Sequence, residues 1–114
     1  MKKTIKDLDQ DDRPREKLIK YGADLLTDEE LLAIIIATGN KEKNVIELSK
    51  EILDTFSYED LADIEVAELT HINGIKNAKA CSIVASLRLG KRIAQKVMER
   101  EIIKIEKSED IYNY

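Results

Sequence analysis

Apolar residues recur at intervals of three and four along most of this chain, and this helical spacing constrains the fold more than any other feature. Only one proline and four glycines interrupt 114 residues. Ile and Leu together number 28, whereas aromatic residues number five, so the core is expected to be aliphatic. No run of alternating apolar and polar residues precedes residue 101. The sequence therefore predicts an all-α fold, a small helical bundle.

Local signals divide this pattern into separate helices. Pro14 suits a first helical turn and Gly22 suits a helix end, which predicts a helix over 14–21. Thr27 with Glu30 is typical of a capping box, and two later pairs repeat the signal. These pairs are Asn44 with Glu47 and Ser57 with Asp60. The further predicted helices run from Thr27 to a stop at Gly39, then over 44–56, 57–62, 66–70 and 77–99.

The end of the chain differs in composition from the rest. Residues 101–105 are rich in β-branched side chains and predict a short extended tail, and residues 108–110 resemble the cap of a new helix. We therefore expect a loose segment over 1–12, a helical domain over 13–100, and the start of a linker or of a missing C-terminal domain over 101–114.

The inventory of reactive side chains excludes several function classes. His71 and Cys81 are the only His and Cys residues, and zinc normally takes three or four such ligands. We therefore expect no metal, no cofactor and no enzyme activity, and Cys81 is expected to be a small buried residue more than a nucleophile. No apolar run reaches membrane-span length, and residues 1–7 lack the apolar core of a signal peptide, so a cytoplasmic protein is expected.

Charge is distributed unevenly along the chain. The formal net charge is −4, but residues 1–69 carry −8 and residues 70–107 carry +6. A basic segment on an acidic chain is typical of a local anion-binding surface. The alternative is that the basic side chains pair with the acidic part of the same molecule.

The segment from Leu69 to Ala80 carries the most specific signal, because it predicts a helix-hairpin-helix over 66–90. Gly74 permits a positive φ and a close approach of phosphate to the backbone. The N–H groups that follow lie next to a helix N-terminus, where two lysines add charge. Such a site would hold DNA phosphates without reading bases. An ordinary helix connection is the alternative. The predicted DNA-binding residues are Asn73, Gly74, Ile75, Lys76, Asn77 and Lys79.

Two further patterns extend this prediction. Arg88, Arg92 and Lys96 follow one another at intervals of four on the long helix, and they are either secondary phosphate contacts or an ordinary solvated stripe. Gly39 lies 35 residues before Gly74 and also separates two predicted helices. This spacing indicates a degenerate tandem pair of hairpins.

Several blocks resemble the opening of the RadC family of bacterial proteins, and the resemblance covers roughly residues 12–110. The matching blocks include Asp12-Arg13-Pro14-Arg15-Glu16-Lys17-Leu18, Tyr21-Gly22-Ala23, Leu25 to Asp28, Glu30-Leu31-Leu32-Ala33-Ile34, Thr38-Gly39, Lys43-Asn44-Val45, Ile72-Asn73-Gly74-Ile75 and Ala78-Lys79-Ala80. One departure is Lys76, since the family's hairpin usually reads Gly-Ile-Gly.

The resemblance implies an N-terminal domain that precedes a JAB/MPN-type domain with metalloprotease-like zinc ligands. It also implies a connection with DNA repair. The His-x-His pair of that second domain is absent from this sequence, so the resemblance implies no hydrolase activity for this chain.

Two functions follow as hypotheses. The first is a non-enzymatic, sequence-independent DNA-binding module whose partner is the phosphate backbone of duplex, single-stranded or branched DNA. The second is a protein-interaction or regulatory domain that positions the C-terminal JAB/MPN domain.

Overall fold

The computed structural model describes residues 13–39 and 43–112. The expectation of a loose segment over 1–12 lies outside these residues. The described residues form six α-helices and no strand, which confirms the all-α prediction. The helices are α1 Pro14–Tyr21, α2 Asp28–Ile36, α3 Val45–Thr55, α4 Tyr58–Ala62, α5 Val66–Leu69 and α6 Asn77–Tyr112, with a 3-10 turn at Ala23–Leu25 between α1 and α2.

The capping signals predicted from the sequence are confirmed. The Thr27 hydroxyl accepts from the Glu30 N–H at 3.2 Å, and the Glu30 carboxylate accepts from the Thr27 N–H at 3.0 Å. Ser57 and Asp60 form a second reciprocal box at the start of α4. Asn44 caps α3 by accepting from the Glu47 N–H at 2.8 Å. Each cap satisfies a backbone donor that the first helical turn would otherwise leave open.

Glu30 also joins α2 to α1, and this contact makes stability depend on pH. Burial raises the pKa of Glu30, but the Thr27 N–H and the Lys17 ammonium, 3.2 Å away, outweigh it and hold the pKa below 4.5. A lowered folded-state pKa contributes stability above the unfolded pKa, and this contribution is lost as the pH falls through the folded value.

We therefore predict that Glu30→Gln lowers the free energy of unfolding by about 1 kcal/mol at pH 7, and by less at pH 3. Urea unfolding at both pH values measures the difference. Glu29→Gln is the matched control, because Glu29 lies in the same helical turn but outside the capping box. An equal loss at both pH values would contradict the role assigned to the Glu30 charge.

The core is aliphatic, as predicted, and it lies between α2, α3, α4, α5 and the start of α6. Its most deeply buried large side chains are Leu48, Ile52, Ile64, Leu69 and Ile83. The hairpin residues Ile72 and Ile75 are also buried, at 7% and 2% exposure, so they anchor the turn in the core as expected. Burying these side chains provides the main force that holds the short helices in place.

The end of α2 differs from the prediction. The helix stops at Ile36, not at Gly39, and Ala37 takes the positive φ of 73° that terminates it. The Thr38 N–H then donates to the Ile36 carbonyl at 2.9 Å, which closes a strained γ-turn around Ala37. Gly39 is needed for another reason, because an added Cβ would lie 2.3 Å from the Lys43 carbonyl oxygen.

The predicted extended tail is wrong. Residues 101–112 continue α6, which runs for 36 residues from Asn77 to Tyr112. Each Ile residue costs a helix only a few tenths of a kcal/mol, and the neighbouring Glu and Lys residues favour the helix. Glu101 and Lys104 add an ion pair one helical turn apart, at 3.6 Å.

One smaller expectation for α6 is also corrected. Cys81 is exposed, not buried, because it points away from the stripe that contains Ala80 and Ile83. Gly90 lies within α6 in open space, since an added Cβ there would meet no atom within 4 Å.

The order of elements agrees with a tandem pair of helical hairpins, with α4 between α2–α3 and α5–α6. In α3 and α6, the second helices of the two hairpins, the buried residues correspond when 35 is added to the residue number. Val45 and Leu48 then correspond to Ala80 and Ile83. In the first helices the buried residues match at an offset of 36, as with Ala33 in α2 and Leu69 in α5. The first connection is therefore one residue longer. The tandem relation between the hairpins stays a prediction.

Candidate nucleic-acid interface

The predicted hairpin is present between α5 and α6. Gly74 has a φ of 101°, a value that side-chain-bearing residues rarely adopt. The Ile75 N–H donates to the Ile72 carbonyl at 3.0 Å and closes the turn. The helix α6 begins directly afterwards at Asn77. The turn therefore brings its backbone to the positive end of a long helix.

The exposed surface of this turn is formed by part of the predicted site. Asn73, Lys76 and Asn77 are exposed and Gly74 is half-buried, whereas Ile75 points into the core. The Ile75 N–H is used within the turn. In the described part of the chain, the N–H groups of Gly74 and Lys76 make no backbone hydrogen bond. These two N–H groups and the Lys76 ammonium are the donors that the turn offers to an anion.

Lys79 does not join them as a free cation. Its ammonium donates to the Thr38 hydroxyl at 2.6 Å and lies 3.4 Å from the Ile36 carbonyl oxygen. The Lys79 ammonium thus lies at the C-terminal end of α2. A cation is favourable there because the last carbonyls of a helix carry partial negative charge. Lys79 therefore fastens the start of α6 to the strained turn after α2, and it connects the two hairpins.

Arg88 is likewise used within the fold. Its guanidinium donates to the Ile64 carbonyl at 2.8 Å and contacts the Glu65 carboxylate at 3.4 Å. These bonds hold the loop between α4 and α5 against α6. Arg92 and Lys96 are exposed on the same helix. The predicted stripe of secondary phosphate contacts therefore has its first cation engaged in a structural contact and its other two facing solvent.

We predict that Arg88→Met lowers the free energy of unfolding by about 1–2 kcal/mol, because the Ile64 carbonyl loses a charged donor. The loss of stability is limited because the substitution also removes the buried Arg88 Nε, which has no hydrogen-bond partner in the structure. Arg92→Met, on an exposed turn of the same helix, is the matched control and should change stability by less than about 0.5 kcal/mol. Thermal unfolding of both variants followed by circular dichroism tests this, and equal losses would contradict the contact.

A second surface was not foreseen from the sequence. An apolar groove of about 500 Å³ lies between α2, α3, α4 and α6, and Leu31, Leu53 and Leu87 are among its lining residues. At its rim, Tyr58 donates to Asp28, and Lys91 pairs with Asp63. The hydrogen bond from Lys91 holds the pKa of Asp63 below its ordinary value. Only helix packing reveals this groove, since its walls come from four separate helices.

The structure also bears on metal and membrane binding. Within residues 13–39 and 43–112, no three or more His, Cys, Asp or Glu side chains are grouped to hold a metal ion. No helix among these residues combines the length and the apolar character of a membrane span.

Comparison with known proteins identifies the protein family to which this chain is similar. The model of the UPF0758 N-terminal domain matches residues 5–81. A UPF0758 protein of Clostridium perfringens is 44% identical over 108 residues, which cover 94% of this chain and 47% of that protein. One of Pelodictyon phaeoclathratiforme is 41% identical over 96% of this chain and 49% of its own length. One of Methanosarcina mazei is 40% identical over 95% of this chain and 47% of its own length.

The chain thus spans about half the length of these curated relatives. No solved structure matches it. The match to the family model covers more than half of the chain, and the relatives extend the similarity through most of α6. The chain belongs to the UPF0758 N-terminal domain family.

Proposed function

We propose that this domain is a non-enzymatic module that binds the phosphate backbone of DNA through the hairpin between α5 and α6, without reading base sequence. The observation that carries the proposal is the turn itself. Gly74 at a φ of 101° and the start of α6 three residues later place backbone donors beside an exposed Lys76. Backbone donors at a helix N-terminus favour phosphate oxygens, and they are blind to the bases.

Charge restricts how DNA could approach. The helices α2 and α4 contain five acidic side chains and no basic one, so their surface would repel a polyanion. The hairpin lies next to α6, whose exposed Arg92 and Lys96 could contact a neighbouring phosphate. Because Lys79 and Arg88 are bonded within the fold, few cations remain to contact DNA phosphates. We expect weak binding, with a Kd of about 10⁻⁴–10⁻⁶ M at physiological salt.

The test is a fluorescence-anisotropy titration of labelled duplex, single-stranded and branched DNA at several salt concentrations. We predict that Lys76→Glu weakens binding about tenfold and reduces the salt slope by about 0.9, the value for one lost phosphate contact on duplex DNA. Lys76 is exposed, so its replacement should leave stability unchanged. Lys79 is left intact because its replacement would break the contact with Thr38.

Lys50→Glu is the matched control, since it makes the same charge change at an exposed position of α3. Equal weakening by both variants would mean that only net charge matters and would reject the hairpin as the site. Absence of binding at low salt would reject DNA binding by this domain.

We further propose, from the resemblance to RadC proteins, that this domain precedes a JAB/MPN-type domain in a longer cytoplasmic protein. The relatives support this because they are about twice as long as the matched region. In that protein the present domain would serve to bring DNA, or a partner protein, to the second domain. Metal analysis of a full-length relative, and of that relative without its N-terminal half, tests where the metal lies. Loss of metal with the N-terminal half would contradict the proposal.

A further inference from the structure

The side chain of Lys79 holds a strained turn from both sides. Ala37, directly after α2, has a φ of 73°, which is unfavourable for a residue that carries a side chain. The Lys79 ammonium bonds to the hydroxyl of Thr38 at 2.6 Å and lies 3.4 Å from the carbonyl oxygen of Ile36. Strained residues persist only where surrounding contacts fix them, and they cluster at sites of function. The strain at Ala37 therefore indicates that the position of this turn matters.

The bonds of Lys79 run from the start of α6 to the end of α2. Lys79 is the third residue of α6, Thr38 follows α2, and 41 residues separate them in sequence. The apolar core also joins these two helices, through Ile36 of α2 and through Ala80 and Ile83 of α6. Apolar burial has no direction, whereas a hydrogen bond restricts both a distance and an angle. Lys79 therefore fixes the start of α6 relative to α2 more narrowly than the core alone.

The Gly74 turn is attached directly to this part of α6. The Ala80 N–H donates to the Lys76 carbonyl at 3.0 Å, which ties the last residue of the turn to the first residues of the helix. Lys76 is exposed and lies one helical turn before Lys79. A movement of the start of α6 would therefore carry with it the Lys76 ammonium and the N–H donors of the turn.

We propose that Lys79 is a positioning residue for DNA binding: it holds the Gly74 turn at a fixed place relative to the end of α2, and it does not itself contact phosphate. The inference rests on the proposed function, because the turn that Lys79 positions is the proposed DNA-binding turn. A binding surface that moves must be ordered when its ligand binds, and this ordering lowers the affinity. Loss of the bond between Lys79 and Thr38 should therefore weaken DNA binding even when no charge is removed.

Thr38→Val tests this without changing a charge, because valine has the branched shape of threonine but lacks the hydroxyl that accepts from Lys79. We expect fluorescence anisotropy to show that duplex DNA binds about fivefold more weakly, the effect of one lost hydrogen bond. The salt slope should stay unchanged, since no phosphate contact is lost. Thr55→Val is the matched control. The Thr55 hydroxyl donates to the Glu51 carbonyl within α3, so its loss should leave the DNA affinity unchanged.

Lys79→Met separates positioning from direct contact. Positioning predicts that Lys79→Met weakens DNA binding and that adding Thr38→Val causes no further loss, because both substitutions remove the same bond. Direct contact predicts instead a salt slope lower by about 0.9 for Lys79→Met and no effect of Thr38→Val. Amide hydrogen exchange gives a readout without DNA. The Ile75 and Ala80 N–H groups, which are bonded within the turn and the first turn of α6, should exchange about fivefold faster in both variants.

The outcomes distinguish this inference from the proposed function. Wild-type binding that Thr38→Val leaves intact would overturn the positioning role alone, as would equal weakening by Thr38→Val and Thr55→Val. Losses that add in the double variant of Thr38 and Lys79 would overturn it too, because the two side chains would then act separately. A wild-type chain that binds no DNA at low salt would reject the proposed function together with this inference.

Discussion

Gly39→Ala should destabilise this protein by about 3 kcal/mol, although it adds only one methyl group. The added Cβ would lie 2.3 Å from the Lys43 carbonyl oxygen and 2.8 Å from the Asn44 carbonyl carbon. Both are backbone atoms, so no side chain can rotate away to relieve the clash. The connection between α2 and α3 would have to shift, and with it the buried contact between Ile36 and the rest of the core.

The expected fall in Tm is roughly 10–15 °C, and thermal unfolding by calorimetry measures it. Gly90→Ala is the matched control, because an added Cβ there meets no atom within 4 Å. Gly90 lies within α6, where alanine is favoured over glycine by about 1 kcal/mol, so this variant should be more stable than the parent. Changes of the same sign in both variants would contradict the steric role of Gly39.

Leu48→Ala should have an effect of similar size for a different reason. Leu48 lies on the inner side of α3 with no exposed surface, in the core cluster that also contains side chains of α2 and α6. Removing a buried leucine side chain costs its transfer free energy and leaves a cavity, together about 3–4 kcal/mol. The expected fall in Tm is roughly 15 °C, and the turn at Gly74 should remain intact at lower temperature.

Leu89→Ala is the control that separates burial from residue type. Leu89 is 59% exposed on α6, so the same substitution should cost less than about 0.5 kcal/mol. Urea unfolding of both variants gives the comparison. A loss for Leu89→Ala that approaches that for Leu48→Ala would show that α6 is packed against something at that position.

Most helix boundaries could be predicted because they depend on interactions within one turn. Thr27, Asn44 and Ser57 each bond to a backbone N–H three residues away, which needs no knowledge of the rest of the fold. The conformation of Gly74 was predictable for the same reason. The length of α6 was not predicted, because β-branched residues alone do not decide between strand and helix when neighbouring residues favour the helix.

The candidate site was predictable only in part. The turn at Gly74 with exposed Lys76 and Asn77 is where the sequence placed it. Lys79 was assigned to DNA by its place after the glycine turn, and Arg88 was a candidate secondary contact by its spacing. The structure shows them bonded to Thr38 and to the Ile64 carbonyl. Spacing shows which side of a helix a cation occupies, but it does not show which carbonyl or carboxylate stands opposite.

The amino-acid sequence by itself thus determined the helical class, the capped helix starts and the glycine turn of the hairpin, because neighbouring residues along the chain produce each of these. Only the tertiary structure decided the roles of Lys79 and Arg88, the strained turn at Ala37, and the groove that α2, α3, α4 and α6 share. These features arise where helices distant in sequence meet, and their energies depend on packing that no local pattern encodes.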